Sequence, residues 1–148
     1  MLVSVLRGKI YDYGALMLEH KHLLAMGDMR YPPTSTELLE GWMEKLVADL
    51  KMKILIRPKA VYCDTVGNKG MTCICAIETS HIVMHTWDAS IPIRTAHVDG
   101  AKMQLDVYTC SNLDLSTVWD SLRQFGIRGV RYKFYDRKTD FHLLGQVK

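Results

Sequence analysis

The stretch from Glu37 to Lys51 constrains the fold more than any other. Leu38, Leu39, Trp42, Met43, Leu46, Val47 and Leu50 recur there at helical spacing. Thr34 followed by Glu37 reads as a capping box, with Pro32 and Pro33 just ahead of it. Such a helix has one apolar stripe and must lay it on another layer. One more helix is expected, from Leu115 to Phe125, with Asp114 as its cap and Gly126 as its stop. Its stripe is Leu115, Val118, Trp119, Leu122 and Phe125, and both Trp42 and Trp119 are expected in the core. The other patterned stretches read as strands: Lys53–Ile56, Met71–Ile77, Ile82–Trp87, Met103–Cys110 and Val130–Tyr135. Tyr13–His20 is ambiguous, because its Ala, Leu, Met and Glu favour a helix on propensity. Two helices among several strands give an α+β fold, a two-layer sandwich of a mostly antiparallel sheet with helices on one face. The second sheet face then needs cover, and another copy of the chain is a reasonable source.

The length of 148 residues fits a single domain, 1–148. No apolar run approaches the ~18–20 residues that span a bilayer, so no membrane partner is expected. The N-terminal residues lack the pattern of a signal peptide, and a cytoplasmic location is the expectation. Cys63, Cys73, Cys75 and Cys110 are then expected as free thiols. A net charge of +3 is too small to imply nucleic acid by itself. Arg128, Arg131, Lys133, Arg137 and Lys138 interleave with Tyr132, Phe134 and Tyr135, which reads as a strand with one solvated face.

The chemistry concentrates between Cys73 and Trp87, with a second cluster at Asp106–Cys110. A serine, two histidines and three cysteines sit there in apolar, strand-like text, and buried polar groups are costly unless paired. On one straight strand Cys73, Cys75, His81 and His85 share a face, which raises the question of zinc. Such a strand spans about 40 Å, whereas zinc ligands converge within ~2.3 Å of the metal, so no metal is expected. Ser80 and His85 fall on opposite faces by the same parity. If they act together, the chain must turn near Glu78–His81, which would also expose the Thr79–Ser80 bond.

The run Ile77-Glu78-Thr79-Ser80-His81-Ile82-Val83-Met84-His85-Thr86-Trp87, with Asp106-Val107-Tyr108-Thr109-Cys110, resembles the small prokaryotic-type S-adenosylmethionine decarboxylases. The shared pattern is a Ser-His pair, a second His four residues on, an aromatic two beyond it, and Asp-x-x-x-Cys. The resemblance implies self-cleavage between Thr79 and Ser80, giving fragments 1–79 and 80–148. Ser80 would attack the Thr79 carbonyl, His85 would remove the Ser80 Cα proton, and Thr72 would assist with its hydroxyl. The cofactor would be a pyruvoyl group derived from Ser80. Its carbonyl takes the substrate amine in a Schiff base and acts as an electron sink when carbon dioxide leaves. Cys110 would reprotonate the product. His81, Trp87 and Asp88 are the implied substrate contacts, Trp87 stacking on adenine. The implied product supplies aminopropyl groups for spermidine, and the implied assembly is an α/β/β/α homodimer.

Relatives usually carry Pro-Glu after the aromatic, where this chain has Asp88-Ala89, and the Asp88–Met103 segment is longer than theirs. Two alternatives therefore stay open. One is a pyruvoyl decarboxylase of a basic amino acid such as arginine or ornithine. The other is an unprocessed, non-catalytic homologue that binds a metabolite or a partner chain.

Overall fold

A computed structural model describes residues 3–6, 9–12, 19–88 and 101–148. The elements in chain order are β1 (Val3–Leu6), β2 (Lys9–Asp12), β3 (Lys21–Met29), α1 (Thr36–Asp49), β4 (Ile54–Cys63), β5 (Gly70–Ile77), β6 (Ser80–Trp87), β7 (Ala101–Thr109), α2 (Leu115–Leu122), β8 (Ile127–Asp136) and β9 (His142–Val147). Strands β1 and β2 form a separate antiparallel pair. The other seven make one sheet in the order β4-β5-β6-β7-β3-β8-β9, with every neighbouring pair antiparallel. The α+β expectation holds. Among the described residues, no helix is long and apolar enough to cross a membrane.

Helix α1 starts one residue later than the capping box suggested. Its cap is Ser35, not Thr34, and the Leu38 N–H donates to Ser35 Oγ at 3.2 Å. The stripe Leu39, Trp42, Met43, Leu46 and Val47 is buried, whereas Leu38 lies outside it and is exposed. Asp114 caps α2, and a 3₁₀ turn at Arg123–Phe125 runs into the left-handed Gly126, as expected of a glycine stop. The two helices meet where Trp42 packs on Phe125 and its indole N–H donates to Ser121 O at 3.0 Å. Trp119 is only partly buried and packs on Tyr132. The core lies between this helical layer and one face of the sheet, where Ala25, Leu105, Met84 and Cys73 stand side by side on four strands.

Three strand expectations need correction. Strand β4 continues past Pro58 to Cys63. It can do so because it is the sheet's edge, where a missing N–H costs no ladder bond, and its pairing slips around that point. Strand β3 lies in the middle of the sheet but was not expected. It reads Lys-His-Leu-Leu-Ala-Met-Gly-Asp-Met, without one β-branched residue, and neighbours on both sides impose its conformation. Strand β9 was also unexpected. Residues 13–18 of the ambiguous Tyr13–His20 stretch, and 89–100 of the long Asp88–Met103 segment, lie outside the described residues.

The chain turns at Glu78–Thr79, so Cys73–His85 is a hairpin and not one strand. Cys73 and Cys75 consequently face the helices and are buried, while His81 and His85 face the other way. The four residues do not share a face. Burial pushes the Cys73 thiol up to about 12, and both cysteines act as small core residues.

The sheet face opposite the helices exposes Val61, Leu24, Met26 and Ile74. It also holds a groove of about 780 Å³ lined by Leu24, Val83, His85, Asp106, Arg131 and Lys133.

Gly70 fixes the far end of the β5–β6 hairpin. A Cβ there would fall 1.8 Å from the Thr86 carbonyl oxygen, which is backbone and cannot swing away. Gly70→Ala is therefore expected to lower unfolding free energy by about 1–3 kcal/mol, measurable as a reduced urea midpoint. An unchanged midpoint would contradict this close approach.

Candidate active site

The site is built at the turn of the β5–β6 hairpin. Ile77 pairs with Ser80, which leaves Glu78 and Thr79 as the turn residues. Three backbone or hydroxyl contacts clamp that turn. The Glu78 N–H donates to Lys53 O at 2.8 Å, and the Cys110 N–H donates to Thr79 O at 2.7 Å. The hydroxyl of the fully buried Thr109 donates to Thr79 Oγ1 at 2.9 Å. Ser80 follows with φ +143, a backbone conformation that side-chain-bearing residues rarely adopt. Strain of this kind costs about 1–3 kcal/mol and persists only where neighbours over-determine the backbone. Ser80 meets that condition, being paired on one side to Ile77 and on the other to Thr109.

Ser80 thus sits beside the very carbonyl that its hydroxyl would attack, and that carbonyl already accepts a short hydrogen bond. An N–H in this position stabilises negative charge that develops on the oxygen. Cys110 lies just past the end of β7, so the structure brings its backbone to the Thr79–Ser80 link.

His81 extends the site across the sheet. Its Nδ1 lies 3.2 Å from Ser80 Oγ. Its register partner is Tyr108, whose other partner is His22 on β3. Both histidines reach diagonally past Tyr108 to one carboxylate. His22 Nε2 is 2.8 Å from Asp106 Oδ1, and His81 Nε2 is 3.4 Å from the same oxygen. Burial alone would push the Asp106 carboxyl up, but hydrogen bonds and charge from His22 and His81 outweigh it and hold the group below the usual carboxylate range. Arg137 closes the row, with Nη1 3.0 Å from His22 Nδ1 and its guanidinium 4.6 Å above the Tyr108 ring. His20 Nδ1 lies 2.8 Å from the Tyr108 hydroxyl.

The remaining expected site residues gather elsewhere. His85 Nδ1 lies 2.9 Å from the Thr72 hydroxyl, its register partner on β5. The Trp87 ring is 5.9 Å from the His85 ring, and its N–H donates to Asn68. Asp88 accepts the Tyr62 hydroxyl at 2.5 Å. Ser80 and His85 both lie on β6, five residues apart and on opposite faces. The turn precedes both and so does not bring them together. Their separation along the strand is about 16 Å at ~3.3 Å per residue.

The expected site residues therefore fall into two groups on one chain, two candidate half-sites: Thr79, Ser80, His81 and Cys110 at the turn, and Thr72, His85, Trp87 and Asp88 farther along the hairpin. Asp106, His22, Tyr108 and Arg137 were not expected as site residues. Asp106 stood inside the recognised motif, but His22 sits on the strand that propensity hides, and Arg137 read as solvated charge.

The model of the S-adenosylmethionine decarboxylase family matches residues 33–138. The crystal structure of the adenosylmethionine decarboxylase from Aquifex aeolicus is similar in fold, with a TM-score of 0.56 and 19% identity. That likeness covers 81% of this chain and 91% of that one. Among curated proteins, no sequence matches the chain.

The strain at position 80 can be measured. Glycine adopts positive φ without penalty, so Ser80→Gly is expected to be more stable than Ser80→Ala by about 1 kcal/mol. That order reverses what glycine does inside an unstrained strand, and equal or inverted melting temperatures would remove the case for strain.

Proposed function

The chain belongs to the S-adenosylmethionine decarboxylase family, and from that premise we propose that it is a self-processing, pyruvoyl-dependent decarboxylase. Its substrate is S-adenosylmethionine, and its product serves aminopropyl transfer to spermidine. The observation that carries this reading is the Thr79 carbonyl, held by the Cys110 N–H beside a strained Ser80. Ser80 Oγ adds to that carbonyl, and the amide becomes an ester. Loss of the Ser80 Cα proton then expels the Thr79 carboxylate and leaves the residue that hydrolyses to the pyruvoyl group. That group fits the place, since a serine at a strained turn with a polarised preceding carbonyl is what its formation requires. When formed, it supplies the electron sink for loss of carbon dioxide from a bound amine.

His85 is the base for the Cα proton, with Thr72 orienting its ring through the 2.9 Å contact. It cannot reach Ser80 of its own chain, and this supports a homodimer in which each copy lends the second half-site to the other. The exposed Val61, Leu24, Met26 and Ile74 favour the same pairing, sheet face to sheet face, as an α/β/β/α assembly. Trp87 beside His85 then offers an aromatic face to the adenine ring, and Cys110 Sγ returns a proton to the product carbon. Asp88 is engaged by Tyr62, so it is a weak stand-in for the glutamate by which relatives hold the ribose. Arginine and ornithine are accordingly the second substrates to assay.

Denaturing electrophoresis of the purified chain is expected to show fragments 1–79 and 80–148, the second with a blocked N-terminus. Ser80→Ala abolishes the split and the activity. Cys110→Ala keeps its backbone N–H and still splits, but loses about 10²–10⁴-fold in carbon dioxide release. A lone full-length band after prolonged incubation would overturn the enzyme reading.

Sharing of half-sites is tested by mixing. Neither Ser80→Ala nor His85→Ala splits alone, but when they are co-expressed the His85→Ala chain is cut. If the mixture stays whole while the unaltered chain splits, His85 does not act across the interface.

A further inference from the structure

We infer that His81, set in one tautomer by Asp106, His22 and Arg137, is the base that takes the Ser80 hydroxyl proton in the first step of self-cleavage. The inference rests on the self-processing reading above and assigns to His81 a role other than substrate contact.

The direction of each proton follows from one fact: a guanidinium donates and cannot accept. Arg137 Nη1 lies 3.0 Å from His22 Nδ1, so that nitrogen is an acceptor and carries no proton. The neutral ring then has its proton on Nε2, which donates to Asp106 Oδ1 at 2.8 Å. The Asp106 carboxylate also stands 3.4 Å from His81 Nε2, and its negative charge keeps the His81 proton on that nitrogen. What remains is His81 Nδ1, with a free lone pair, 3.2 Å from Ser80 Oγ. The nucleophile touches its base, and the base is oriented by a third group, the arrangement that activates serine elsewhere. Such contacts commonly tighten only as reaction proceeds.

The step balances without a co-reactant. The Ser80 Oγ–H proton passes to His81 Nδ1 as Oγ bonds to the Thr79 carbonyl carbon. Negative charge gathers on the Thr79 oxygen, against the Cys110 N–H. The carbon–nitrogen bond then breaks, the electron pair stays on the Ser80 nitrogen, and that nitrogen recovers the proton from His81. The product is an ester with a free amine, an isomer of the starting chain. His81 is catalytic in this step, and Asp106, His22 and Arg137 are positioning residues.

The test removes the later step and traps the ester. His85→Ala blocks elimination, and hydroxylamine then cuts the ester to give fragment 80–148 with an unblocked serine at its N-terminus. Adding His81→Ala to that background is expected to slow the hydroxylamine cut by about 10²-fold or more, and added imidazole to restore part of the rate. His81→Gln is a second variant should the alanine form fold poorly. In His85→Ala, ¹H–¹⁵N correlation spectra of the imidazoles are expected to show His22 and His81 protonated at Nε2, and Asp106→Asn to lose that pattern for His81. A hydroxylamine cut as fast without His81 as with it would overturn the inference and leave self-cleavage standing. If neither the unaltered chain nor His85→Ala is ever cut at 79/80, self-cleavage falls and the inference with it.

Discussion

The hydrogen bond from the Cys110 N–H to the Thr79 carbonyl ties the candidate site to the fold. A bond of this sort contributes only about 0.5–1.5 kcal/mol net. Its importance lies in where it acts. It joins the end of β7 to the turn of the β5–β6 hairpin, and so places the turn carbonyl relative to everything that β7 carries. The opposing strain at Ser80 is of similar size, about 1–3 kcal/mol. It is sustained because β6 is an interior strand, laddered to β5 and β7 along its length. An edge strand could relax by fraying, whereas β6 can relax only by breaking the link or giving up two ladders.

The helical layer was legible in the sequence because helix signals are local. Ser35 and Asp114 caps, a 3.6-residue stripe and a Gly126 stop all lie within a few residues of what they specify. Even there the cap was misplaced by one residue, since Thr34 and Ser35 present the same chemistry. The sheet was legible only in part. Strands β5 to β8 advertise themselves through Ile, Val, Thr and aromatics. Strand β3 does not, and its extended backbone is imposed by β7 on one side and β8 on the other. No window of nine residues contains that information.

The same division governs the site. The Ser-His-x₃-His run and the Asp-x-x-x-Cys run are contiguous text, so their residue types could be read directly. Their grouping could not. Ser80 and His85 look adjacent in sequence yet stand apart on one strand, whereas His22, Asp106 and Arg137 are scattered in sequence yet meet beside His81 through register alone. The face that Cys73, Cys75, His81 and His85 would share on one straight strand is lost for the same reason. A two-residue turn at Glu78–Thr79 reverses which positions share a face, and that turn carries neither glycine nor proline to announce it.

Placing the two bases four residues apart on β6, with only His81 beside Ser80, has a mechanistic consequence if each does what its position allows. Ester formation is a neutral isomerisation that needs only a base at Oγ and a donor at the Thr79 oxygen, and one chain provides both. It is reversible, so in an isolated chain the ester returns to the amide and nothing is lost. Elimination is irreversible and commits the chain to cleavage, and the base suited to it lies about 16 Å along the strand at ~3.3 Å per residue. A base supplied only by a second copy would make the irreversible step wait for assembly. The reversible step could then run early without harm, and the ketone-bearing fragment would arise only where the opposite sheet face already covers it.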